Sequence, residues 1–112
     1  MKQVGNISTV STWAGVILDD GATLAERHFQ IVNEKGLHAR ASARFVEVVE
    51  THDAAAEVTK DGMTVSGDSI MGLLMLAASR GTSIEVRTSG TEAEQLADAL
   101  QDLVASRFGE SF

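Results

Sequence analysis

The chain has 112 residues, no cysteine, and sixteen acidic against nine basic residues for a formal charge of −7. That length suits a single domain, able to bury about two thirds of its unfolded surface without staples, and the missing cysteines exclude a disulfide framework and a thiolate metal site. The acidic balance argues against a nucleic-acid surface, and the apolar run Ala14-Gly15-Val16-Ile17-Leu18 is too short for a membrane span and lacks a signal-peptide pattern. A cytoplasmic chain with no membrane insertion is expected.

Residues 1–25 mix Ser, Thr and Gly around an apolar cluster at Trp13 and Leu18, turn at Asp19-Asp20-Gly21, and read as an extension ahead of a domain over 26–112. Alternation predicts a first strand over 27–32, with Phe29 and Ile31 on its buried face. Residues 33–36 break it. A helix over about 39–50 follows, burying Phe45, Val46 and Val49 and leaving Arg44, Glu47 and Glu50 to solvent. Strands over 55–60 and 63–66 flank Asp61-Gly62, a dipeptide suited to a two-residue hairpin turn.

Ser69 is placed as the N-cap of a second helix, and residues 70–78 are apolar almost all the way round, with Arg80-Gly81 as the helix end. Leu73, Leu76 and Ala77 form one stripe; Met71, Leu74 and Met75 form the opposite one, with Ile70 beside it. Periodicity does not say which stripe is inside. A fourth strand over 83–88 puts Ile84 and Val86 on one face. Thr91 with Glu94 makes a capping-box pattern for a long helix to about residue 107, striped by Ala93, Leu96, Ala97, Leu100, Leu103 and Val104. The order β-α-β-β-α-β-α predicts an α+β, open-faced two-layer sandwich: a four-stranded, largely antiparallel sheet with three helices on one face.

Chemistry concentrates in Asn33-Glu34-Lys35-Gly36-Leu37-His38-Ala39-Arg40-Ala41-Ser42. Backbone N–H groups at a helix start lack intrahelical partners and sit at the positive dipole end, so an anion is stabilised there. His38 can act as a nucleophile near neutral pH, and Arg40 carries a planar, permanent charge that matches phosphoryl oxygens. Spacing alone also fits a helix-start histidine beside a solvated arginine. His28 and His52 have no ligand spacing with His38 or with a carboxylate, so no metal is expected. The stretch Gly67-Asp68-Ser69-Ile70-Met71-Gly72 lacks the lysine and spacing of a P-loop.

Gly36-Leu37-His38-Ala39-Arg40, the stretch Gly67-Asp68-Ser69-Ile70-Met71-Gly72-Leu73 and the element order together resemble HPr, the histidine phosphocarrier of the bacterial phosphoenolpyruvate-dependent phosphotransferase system. The resemblance covers roughly residues 27–108 and leaves the extension outside. It implies that His38 takes a phosphoryl group on Nδ1 from enzyme I and passes it to an enzyme IIA protein. The backbone amides of Ala39, Arg40 and Ala41, with the Arg40 side chain, would hold the phosphoryl oxygens. It also implies a carrier with no cofactor, not a stand-alone enzyme, and a monomer is expected.

In the same family a dedicated HPr kinase/phosphorylase modifies the residue that corresponds to Ser69, so regulation there is implied. By this analogy Leu73 and Leu76 face the core while Ile70, Met71 and Leu74 dock partners. One departure stands out: the family usually has proline directly after the arginine, and here that position is Ala41, which restores an N–H donor in the first turn. The Gly-Leu-His-Ala-Arg-Ala-Ser-Ala form resembles the nitrogen-related, regulatory branch. Two other readings compete: an adaptor whose Ser69 phosphorylation selects a partner, and a small-metabolite regulatory domain of similar element order.

Overall fold

The computed structural model describes residues 23–112; Trp13, Leu18 and the turn at Asp19-Asp20-Gly21 lie outside the described residues. Strand β1 (Thr23–Gln30) leads to helix α1 (Ala39–Glu50), the hairpin β2 (Ala55–Lys60) and β3 (Met63–Ser66), helix α2 (Ile70–Met75), strand β4 (Ser83–Gly90) and helix α3 (Ala93–Ala105). A 3-10 turn, Arg107–Gly109, closes the order. The strands lie in the order β1-β4-β2-β3, and each neighbouring pair is antiparallel. This is the α+β open sandwich that the element order predicts.

Alternation along the strands produces it. Ala25, Phe29, Ala56, Val58, Ile84, Val86 and Thr88 are buried, whereas Glu26, His28, Gln30 and Glu57 on the opposite face are exposed. Against the apolar face lie Phe45, Val46 and Val49 from α1, Leu73 from α2, and Leu96, Leu100 and Val104 from α3, all in one core with Phe108. Thr88, the one buried polar residue of the sheet, donates its hydroxyl to the carbonyl of Ala93 at 2.8 Å. The hairpin turns where expected: Asp61 and Gly62 both have positive φ, 52° and 83°, as a twisted two-residue turn requires.

Several boundary expectations are corrected. Strand β1 begins at Thr23 rather than at 27, because Thr23 to Glu26 pair with Gly90 to Arg87 of β4, and β4 itself runs on to Gly90. Ile31 follows the strand, fully buried as expected. Helix α2 stops at Met75 with Leu76 as its C-cap, three residues short of the expected end, and Arg80-Gly81 is not its terminus. Gly81 instead donates its N–H to the carbonyl of Ile31 at 2.8 Å. Helix α3 has Glu92, not Thr91, at its N-cap, because both Thr91 and Glu92 are drawn to the end of α1: the Thr91 hydroxyl donates to Asp53 Oδ2 at 2.6 Å and Glu92 Oε1 accepts from the Asp53 N–H at 2.6 Å. Its last turn ends at Ala105, where Arg107 and Phe108 take positive φ and turn Phe108 into the core.

The early end of α2 has a cause in the fold. Ala77 sits at φ 52°, in the left-handed region that usually goes to glycine after a helix, and so turns Ala78 inward, where it is buried. Alanine there carries strain of about 1–2 kcal/mol that glycine avoids. Replacing exposed Ala77 with glycine is therefore expected to raise the free energy of unfolding by about 0.5–1 kcal/mol after the larger backbone entropy of glycine is subtracted. The check is a higher urea midpoint at unchanged slope; a lower midpoint would mean that the turn is relaxed.

Candidate functional site

The loop from β1 to α1 is built on close backbone approach. The Gly36 N–H donates to the Asn33 carbonyl at 3.2 Å, and the Asn33 side-chain Nδ2 donates back to the Gly36 carbonyl at 2.9 Å. Gly36 has φ 66°, and a Cβ there would lie 2.5 Å from the carbonyl oxygen of Ala78. Only glycine fits. That approach lets the Leu37 N–H donate to Ala78 at 2.9 Å and buries the Leu37 side chain.

His38 is then the N-cap of α1, in extended conformation, and its side chain makes no capping bond. The first helical bond runs from the Ser42 N–H to the His38 carbonyl at 2.8 Å. Among the described residues the amides of Ala39, Arg40 and Ala41 precede that bond without an acceptor, and the first turn carries no acidic residue. Ala41 is fully buried, so the departure from proline places a methyl in the core.

The imidazole is engaged on one side. His38 Nε2 and Glu110 Oε2 are in direct hydrogen-bond contact. Glu110 Oε1 accepts from Asn33 Nδ2 at 3.0 Å, so buried Asn33 ties the loop to a segment 77 residues away. Burial pushes the Glu110 carboxyl up, but the hydrogen bonds from Asn33 and His38 together outweigh it and hold the group below its ordinary value.

His38 and Arg40 share the start of α1 but line different hollows. His38 borders one of about 220 Å³ with Lys35, Leu37, Ala77, Ala78 and Ser79. Exposed Arg40 borders another of about 340 Å³, with Lys35, Arg44 and Glu110 among its walls. Lys35 is the cation common to both. It stands in the motif stretch, so local sequence could have nominated it; Glu110, 72 residues from His38, carried no such signal.

Ser69 caps α2 as expected, its hydroxyl oxygen accepting from the Gly72 N–H at 3.0 Å. Helix α2 packs beside α1 with Leu73 and Leu76 inside. Ile70 is 40% exposed and Met71 69%, whereas Leu74 is half-buried and Met75, at 64%, shows more surface. His52 lies at the end of α1 with Nδ1 at 2.9 Å from the Val48 carbonyl. His28 does meet carboxylates, which spacing along the chain did not reveal: β1–β4 pairing sets it opposite Glu85, and ligand atoms of Glu26, His28 and Glu85 lie within 4.8 Å of one another. There Glu85 is half-buried, and a hydrogen bond between the two carboxyls raises Glu26 and lowers Glu85.

No helix among the described residues is long and apolar enough to cross a membrane. A family model described as the PTS HPr component phosphorylation site matches residues 25–106. The phosphocarrier protein HPr of Neisseria meningitidis serogroup A is 42% identical over 87 residues, which cover 78% of this chain and 98% of the relative. The phosphocarrier protein NPr of Shewanella violacea is 34% identical over 89 residues, 80% of this chain and 98% of the relative. Among solved structures, HPr-C-His from Thermoanaerobacter tengcongensis superposes with a TM-score of 0.75 at 36% identity, covering 79% of this chain and 99% of that one. By the family match over residues 25–106, the relative at 42% identity and the superposition on an HPr structure, the chain belongs to the HPr family of phosphocarriers of the phosphotransferase system.

Proposed function

We propose that the protein carries a phosphoryl group on His38, received from phosphorylated enzyme I in the cytoplasm and passed to an enzyme IIA protein. The observation that carries this reading is His38 at the cap of α1, directly ahead of the amides of Ala39, Arg40 and Ala41, which meet no acceptor among the described residues, in a chain of this family. Phosphoryl oxygens held by those amides and by the charged Arg40 fork are stabilised at a positive helix end. The site stays open to solvent and partners, with His38 27% exposed, so the group is held without being sealed in. A carrier needs that balance, since a phosphoryl bound too tightly would not move on.

Ser69 supports a regulatory role in the same reading. Its hydroxyl already caps α2, and phosphate there would place about two negative charges beside exposed Ile70 and Met71, the docking surface together with Leu74. An apolar patch rich in methionine suits several partners, here enzyme I, enzyme IIA and an HPr kinase/phosphorylase. Of the two branches, the HPr relative at 42% identity stands nearer than the NPr relative at 34%.

Incubation with enzyme I and radiolabelled phosphoenolpyruvate is expected to label the wild type with an acid-labile phosphate. His38→Ala should take no label, and Arg40→Ala should take it about 10- to 100-fold more slowly, the equivalent of losing one hydrogen bond to a charged group at about 1.5–3 kcal/mol. Label that survives in His38→Ala would sink the proposal, and acid-stable phosphate alone would favour the Ser69 adaptor. Separately, Ser69→Ala should lower stability by about 1 kcal/mol through the lost cap while leaving His38 labelling near wild type, and Ser69→Asp should slow labelling by enzyme I. Equal rates for Ser69→Asp and Ser69→Ala would remove Ser69 from the regulatory reading.

A further inference from the structure

We propose that Glu110 is the positioning residue for His38: its carboxylate accepts the Nε2–H and so keeps the neutral ring in the tautomer whose bare nitrogen is Nδ1, ready to take the phosphoryl group. The proposal rests on the carrier reading above. A carboxylate only accepts hydrogen bonds, so its partner nitrogen carries the proton, and a neutral imidazole has one N–H. Nε2 is committed by this contact, and Nδ1 has no hydrogen-bond partner among the described residues.

Glu110 is itself held from several directions. Asn33 Nδ2 donates to Oε1, which leaves Oε2 turned to the ring. The backbone on either side is pinned. Before it, Phe108 is fully buried, its carbonyl accepts from Arg44, and the Glu110 N–H donates to the Arg107 carbonyl at 2.9 Å. After it, the Phe112 carbonyl accepts from the Glu34 N–H at 3.0 Å. The ring's own backbone is fixed by the His38 N–H to Gly36 and by Ser42 to the His38 carbonyl. The two side chains are 27% and 16% exposed, sheltered enough for a charge-assisted hydrogen bond to order them. Residues that hold a functional imidazole through its far nitrogen set both its tautomer and its orientation.

The transfer step balances on this arrangement. The lone pair of Nδ1 forms the new N–P bond while the bond between phosphorus and the donor's leaving atom breaks, its electron pair staying with the donor. No proton leaves His38, because the only one on the ring stays on Nε2 facing Glu110.

Two measurements on the full chain decide the matter. Nitrogen-15 NMR of the labelled imidazole, at a pH about two units above the ordinary histidine value of ~6.5, should show a slowly exchanging, downfield Nε2 proton in wild type that is lost in Glu110→Ala. With enzyme I, Glu110→Ala should be phosphorylated about 10-fold more slowly at saturation with KM little changed, the size expected for loss of one charge-assisted hydrogen bond. Glu110→Gln, which keeps the shape and serves if the alanine variant fails to fold, should fall between the two. The spectrum needs no phosphoryl donor, so an exposed, fast-exchanging Nε2 proton in wild type overturns the positioning role by itself. A wild type that takes no label overturns the carrier reading, whereas a labelled wild type matched in rate by both variants overturns only the role of Glu110.

Discussion

The side-chain amide of Asn33, fully buried beneath the loop between β1 and α1, is the interaction on which the site depends. One nitrogen, Nδ2, donates to the Gly36 carbonyl and to Glu110 Oε1 and so joins a tight local turn to a segment from the far end of the chain. A buried amide left unbonded costs about 1–3 kcal/mol, so the turn and the distant carboxylate stabilise each other through it. The positive φ of Gly36, the docking of Leu37 on Ala78 and the placement of His38 at the helix cap follow from the path this turn sets.

The site stays polar at the margin of the core, which Leu37 and Ala41 of the same stretch join. Three amides at the start of α1 lack acceptors among the described residues, and Ala77 next to the His38 hollow is held in a left-handed turn. Both features cost stability, and both persist because the rest of the structure over-determines them. Phe45, Leu96, Leu100 and Phe108 are fully buried in the single core beneath the helices. Burial of whole side chains at about 1.5–3 kcal/mol each readily offsets a few open hydrogen-bond donors. Ile70, Met71 and Met75 of α2 are among the large apolar side chains that stay exposed, and the net charge of −7 opposes self-association through such a surface.

Most of the architecture was legible because it is written in local periodicity. Alternation marked Phe29, Ile31, Ile84 and Val86, helical spacing marked Phe45, Val46 and Val49, and Asp61-Gly62 announced its hairpin. Ser69 was readable as a cap because the residue type and the N–H it serves lie three positions apart. The errors fell where a distant partner outbid a local rule. Thr91 and Glu94 spell a capping box, yet Thr91 turns to Asp53 and Glu94 to Arg27. The apolar run after Ile70 promised three more residues of helix, but the loop at Gly36 needs the Ala78 carbonyl, and the helix ends to supply it.

The same division runs through the site. Sequence by itself determined a helix beginning at His38, a glycine turn before it, a capped helix at Ser69 and an apolar run after it, since each of these is decided by neighbours within a few residues. Tertiary structure alone decided which stripe of α2 is buried, that His28 meets Glu85, and that Glu110 reaches the His38 ring. Those contacts join residues that are near only once the sheet has ordered its strands and Phe108 has closed over the core, and no periodicity in a linear chain encodes a pairing that packing has yet to choose.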